Sequence, residues 1–129
     1  TVAATLSTNP SIQVILAPGT YDPGEAAMVG AFATEFLGRL HADVALTGAS
    51  GIGADGPSET QIDMAAIYTT MTRQCGRSIV LADQSKFGKI FSVCYVPWSH
   101  VDTLVADASP TPPLLDSLQA ARVRLIQAH

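Results

Sequence analysis

Ser78-Ile79-Val80-Leu81-Ala82-Asp83-Gln84-Ser85-Lys86-Phe87-Gly88 is the stretch from which the rest of the chain can be placed. Ile79 to Ala82 is an unbroken apolar run, preceded by Gly76 and followed by polar residues and Gly88, which predicts a short strand buried on both faces, as in a parallel sheet. Ligands of open α/β sheets bind beyond the carboxyl ends of the strands, and Asp83 leaves the strand there. Ser85 and Lys86 follow in a tight turn, which sets a hydroxyl and an ammonium beside that carboxylate. Two readings of this corner stand: a sugar- or phosphate-binding site, or an aspartate-capped turn followed by a solvated lysine.

A chain of 129 residues with 47% apolar and only 14% charged residues fits one globular domain with a real core. Its net charge of −4 and seven scattered Lys and Arg argue against phosphate-backbone contacts, so nucleic acid is not expected as a ligand of this segment itself. Cys75 and Cys94 lack metal-ligand spacing and sit among apolar residues, which predicts buried free thiols in a reducing compartment. No run approaches the ~18 apolar residues of a membrane span and no signal sequence opens the chain, so the location expected is cytoplasmic. Thr1 to Leu6 reads as the end of a helix, so the chain is expected to be a piece of something longer.

In chain order, Ile12 to Ala17 predicts a first strand after the Asn9-Pro10 turn. Pro18 to Gly24 has two Pro and two Gly in seven residues and predicts a loop that could wall a pocket. Val29 to Leu40 has helical periodicity, with Phe32 and Phe36 on the core face and a Glu35–Arg39 pair outside; His41 would cap its C-terminus. Asp43 to Thr47 is the next strand, and it runs into the glycine-rich stretch Gly48 to Pro57.

That stretch carries two motif-like patterns. Gly48-Ala49-Ser50-Gly51-Ile52 is not a nucleophile elbow, because Ile52 stands where a glycine is required. Gly51-Ile52-Gly53-Ala54-Asp55-Gly56 spells the dinucleotide fingerprint, yet Pro57, Ser58 and Thr60 delay the helix past the third glycine. The fingerprint needs the helix to open inside the motif, so that its N-terminus meets the pyrophosphate. Dinucleotide binding is therefore the minor alternative.

Beyond it, Ile62 to Cys75 predicts a helix closed by Gly76, Phe91 to Val96 an extended segment, and Thr103 to Ala106 a strand ending at Asp107. Leu114 to Ala121 and Val123 to Ile126 predict a last helix and strand, while Trp98 and His100 fall in a connection. Alternating strands and helices predict an α/β fold with a largely parallel sheet. No motif calls for a cofactor or metal, and no positioned acid–base pair for catalysis is evident beyond Asp83 and its nearby lysine.

Three ordered blocks carry a family resemblance: Ala42 to Ile52, Leu81-Ala82-Asp83-Gln84-Ser85-Lys86-Phe87-Gly88, and Val101 to Asp107. Together they resemble the C-terminal sensor domain of DeoR-family transcriptional regulators, the Ala-Asp-x-Ser-Lys-Phe-Gly block being the specific part. The resemblance implies a three-layer α/β fold similar to ribose-5-phosphate isomerase, a mainly parallel sheet flanked by helices. It implies a noncatalytic domain that binds a sugar phosphate or related metabolite and controls DNA binding by a separate N-terminal helix-turn-helix absent from this segment; a sugar-phosphate isomerase relative is the enzyme alternative. A homo-oligomer is also implied. Carried over onto these positions, the effector would meet Asp83, Ser85 and Lys86, with Gly48, Ala49, Ser50 and Gly51 and the Gly19-Thr20 turn lining it. The resemblance also implies that the family's Asp-x-Gly-Thr-Thr phosphate loop would precede Thr1, so that part of the family's pocket is not expected in this segment. Asp22 stands where the family usually has Arg, and Met64 and Tyr68 where it usually has Glu and Lys, so charged ligand groups are lost.

Overall fold

The computed structural model describes residues 1–129. A five-residue helix, α1 (Val2–Leu6), is followed by a hairpin of β1 (Thr20–Asp22) and β2 (Ala27–Val29), and then by α2 (Ala31–Leu37). Next come β3 (Ala42–Thr47), the short antiparallel pair β4 (Gly51–Ile52) and β5 (Pro57–Glu59), α3 (Ile62–Arg73) and β6 (Cys75–Leu81). β7 (Val93–Cys94), β8 (Thr103–Ala106), α4 (Leu114–Ala120) and β9 (Arg124–Gln127) complete the chain.

The fold is of the α/β class expected, built on a four-strand parallel sheet of order β3-β6-β8-β9 flanked by helices. Every crossover steps in the same direction along this sheet. Because parallel crossovers are right-handed, such an order sends all the connections to one face. α3, α4 and the second sheet, β4-β5-β7, pack there. Val80, Leu104 and Leu118 are 0–1% exposed, each worth roughly 1.5–3 kcal/mol of burial. A seven-residue helix such as α4 has little stability of its own, so this contact with the sheet is what holds it. A smaller cluster of Val29, Ala33, Met64 and Ile67 joins α2 to α3.

The other face of the sheet is different. The parallel register aligns Leu46 with Ile79, and Leu81 with Val105 and then Ile126, so these side chains share a face with Val44. Val44, Leu46, Leu81 and Ile126 are 40–57% exposed. The expectation that Ile79 to Ala82 is buried on both faces is therefore corrected: Ser78 and Val80 are buried, whereas Leu81 is exposed.

Several local expectations change for physical reasons. Ile12 to Ala17 has strand-like composition but finds no neighbouring strand to complete a ladder, and Ile15 and Leu16 are exposed. The predicted Pro18 to Gly24 loop instead supplies β1, paired Tyr21 to Met28 in the hairpin. α2 is shorter than predicted, because Val29 belongs to β2 and Gly38 ends the helix, leaving His41 outside it. Its buried contact is Ala33, and Phe32 is 75% exposed rather than core. The Glu35–Arg39 pair is present, with Nη2 to Oε1 at 2.6 Å.

α3 ends at Arg73 with Gln74 as its cap, so Gly76 lies inside β6 rather than closing the helix. Of Phe91 to Val96 only Val93–Cys94 pairs, antiparallel to β5, while Tyr95 and Val96 turn into the core. Trp98 is buried and donates its indole N–H to the Gly53 carbonyl at 2.8 Å. Both cysteines are free, but Cys75 is only half-buried and Cys94 is exposed. No helix is long and apolar enough to cross a membrane.

Candidate functional site

A shallow, open cleft of about 430 Å³ lies where the strands of the parallel sheet end, bounded by Gly48 and Ala49 after β3, Leu81 at the end of β6 with Ala82, Asp83 and Lys86 beyond it, Val105 to Asp107 at the end of β8, and Ala128 after β9. Its position is the one that parallel sheets offer to ligands, since the strand ends leave side chains and backbone without a sheet partner. The floor is apolar, and three charged side chains line the cleft: Asp83, Asp107 and Lys86.

Local sequence builds the wall. Residues Gln84–Lys86 form a 3-10 turn, with the Asp83 Oδ1 atom accepting from the Ser85 N–H at 2.8 Å. Asp107 ties this turn to the neighbouring strand, its Oδ1 accepting from the Gln84 N–H at 2.7 Å. Phe87 packs against the core beyond the turn, and the Gly88 N–H donates to the Ile52 carbonyl at 2.9 Å. The turn is thus anchored at both ends, which fixes the start of the Lys86 side chain.

The Asp83 carboxyl is held below the ordinary carboxylate range by the Ser85 side chain first, then by the Ser85 backbone N–H, with a smaller contribution from the Lys86 charge. Lys86 nevertheless forms no ion pair: Glu35 and Arg39, far along the chain, make the molecule's one salt bridge. The cleft carries one more carboxylate than ammonium; both carboxylates hold backbone N–H groups of the turn, and none of the three charges is in an ion pair.

Four of the expected effector residues, Gly48, Ala49, Asp83 and Lys86, come together in this cleft. Ser85 supports Asp83 from outside its lining. Ser50 donates its hydroxyl to the buried Glu59 carboxylate at 2.7 Å, and Gly51 is packed in β4 so tightly that a Cβ would lie 2.3 Å from the Lys89 carbonyl oxygen. Gly19 and Thr20 belong to the hairpin instead: a Cβ on Gly19, whose φ is +139°, would meet the Val29 oxygen at 2.7 Å. Asp22 caps its own turn by accepting from the Gly24 and Glu25 N–H groups, and Met64 is buried in the α2–α3 contact. Tyr68 stacks at a tilt on Tyr95, with centroids 5.2 Å apart, and burial raises its phenol pKa.

Asp107 is the residue that sequence reasoning left out of the site. Its signal was its place at the end of a strand, which becomes informative only once that strand is known to lie beside β6. The fingerprint-like glycines are architectural: Gly53 N–H donates to Gly56 O across the β4–β5 turn, and no helix opens there. No three His, Cys, Asp or Glu side chains converge as a metal set.

Sequence comparison with known proteins supplies the family. A family model described as the DeoR C terminal sensor domain matches residues 1–108. The chain is 27% identical over 126 residues to the glycerol-3-phosphate regulon repressor of Escherichia coli, covering 96% of this chain and 50% of that protein. It is 26% identical over 126 residues to the HTH-type transcriptional repressor CsqR of the same organism, covering 97% of this chain and 48% of the repressor. An uncharacterized HTH-type transcriptional regulator of Haemophilus influenzae is 24% identical over 106 residues, 82% of this chain and 41% of its own length. The chain therefore spans half or less of the length of these relatives. With the match covering most of its length and the parallel sheet and strand-end cleft in place, this chain belongs to the DeoR C-terminal sensor domain family.

Proposed function

We propose that this chain senses a sugar phosphate or a related phosphorylated polyol, and that the bound effector alters DNA binding by a helix-turn-helix segment outside the residues described. The observation that carries this reading is the strand-end cleft, where an anchored turn presents Asp83 and an unpaired Lys86 over an apolar floor. A glycerol-3-phosphate regulon repressor among the relatives supports a phosphorylated small molecule as the effector class. The assembled regulator would act in the cytoplasm as a homo-oligomer.

The domain is read as noncatalytic. An isomerase must move a proton between adjacent carbons, and the cleft's best-placed carboxyl, Asp83, has its pKa lowered and is correspondingly a weak base. Calorimetric titration of the full-length regulator against pentose, hexose and triose phosphates, with operator release as a parallel measurement, tests the proposal. Binding by a panel member together with a change in operator affinity is expected. Turnover of any panel member would replace the sensor reading with an enzymatic one.

A further inference from the structure

Asp83 and Asp107 stand at the ends of neighbouring parallel strands and line the same cleft as Lys86. Each carboxylate uses Oδ1 to hold one backbone N–H of the same turn, at 2.8 and 2.7 Å, and neither makes an ion pair with the lysine. A carboxylate offers about four acceptor positions, so both retain acceptor capacity for a ligand. Hydroxyl groups are the ligand donors that suit such acceptors without adding charge, and the single ammonium suits one anionic group.

We infer that Asp83 and Asp107 together take hydroxyls of the effector while Lys86 takes its one anionic group, so that Asp107 is a specificity-determining residue for a polyol carrying a single phosphate or carboxylate. The inference rests on the proposed effector site and narrows its ligand class. A bare phosphate would forgo the hydroxyl contacts and bring its charge near two carboxylates. A bisphosphate would add a second dianionic group with no further cation lining the cleft to receive it.

The test uses the full-length regulator and its Asp107→Asn variant. Asparagine keeps an oxygen for the Gln84 N–H, so the turn remains tied, while the negative charge and part of the acceptor capacity are lost. Calorimetric probes are glycerol 3-phosphate, ribose 5-phosphate, glucose 6-phosphate, gluconate, fructose 1,6-bisphosphate and inorganic phosphate. At least one singly anionic-group polyol is expected to bind tenfold or more tightly than both inorganic phosphate and the bisphosphate. Asp107→Asn should weaken that polyol about tenfold while leaving inorganic phosphate and the bisphosphate unchanged or tighter, an inversion that general loosening of the turn would not produce. Tight polyol binding that Asp107→Asn leaves intact would overturn this inference alone, as would a bisphosphate that binds best. Failure of every probe to bind would overturn the underlying effector reading as well.

Discussion

Asp107 Oδ1 accepts a hydrogen bond from the Gln84 backbone N–H at 2.7 Å, coupling the residue that ends β8 to the turn that follows β6. Two adjacent strand ends are thereby joined into one rim of the cleft. Asp107→Ala should cost about 1 kcal/mol of stability, the usual worth of such a bond, and amide exchange of Gln84 should accelerate. Unchanged exchange at Gln84 would show that the rim is held by other contacts.

Lys86 tests the binding role without a structural penalty, because its ammonium makes no ion pair. Lys86→Ala is expected to weaken effector binding by roughly 1.5–3 kcal/mol, as for a charge-assisted hydrogen bond, and to leave the thermal midpoint almost unchanged. An ordinary solvated lysine would show neither effect on binding nor much on stability. Titration of the wild type and the variant with the same sugar phosphate separates the two.

Tyr95 gives a pH prediction. Its buried hydroxyl donates to the Gly48 carbonyl at 2.8 Å and lies 3.0 Å from the Thr47 hydroxyl, and burial first of all pushes its pKa above the ordinary 10.0. The folded state thus favours the protonated phenol. The associated stability is fully present below pH 10 and is lost as pH rises from there, through the unfolded value toward the folded one. Tyr95→Phe should cost roughly 1–3 kcal/mol at neutral pH by leaving Gly48 O and the Thr47 hydroxyl short of a partner, and should flatten the loss of stability above pH 10. Denaturant melts at neutral and alkaline pH measure both; an alkaline slope equal to that of the wild type would contradict the assignment.

The glycine-rich stretch is expected to fail by sterics rather than by lost ligand binding. A Cβ at Gly56 would lie 2.1 Å from the Val96 oxygen and 2.8 Å from Cys94 Sγ, so Gly56→Ala must displace β7. About 1–3 kcal/mol of destabilisation is expected, seen in chemical denaturation, with no nicotinamide dinucleotide binding in either protein. Saturable dinucleotide binding by the wild type would restore the fingerprint reading.

The exposed strip of Val44, Leu46, Leu81 and Ile126 should make the isolated chain self-associate. Light scattering is expected to rise with concentration, and Leu46→Lys with Leu81→Glu should suppress it. A monodisperse monomer across the concentration range would show that this face is not adhesive.

The sequence by itself determined the parallel α/β class, the positions of β3, β8, α3 and α4 to within a residue or two, and the turn that follows Asp83. Those features rest on local chemistry: apolar runs, helical periodicity, and the capping habit of aspartate. Only the tertiary structure decided what depends on neighbours. Ile12 to Ala17 has the composition of a strand, but a strand needs a partner ladder that composition cannot supply. Phe32 fits a helical core stripe, yet α2 meets α3 through Ala33, whose small side chain lets the two helices approach. Leu81 sits in a continuous apolar run, but the uniform direction of the crossovers covers just one face of the sheet. Asp107 entered the cleft for the same reason. Its distance from Asp83 in sequence says nothing of their adjacency, which the order β6-β8 creates by placing the two strand ends side by side.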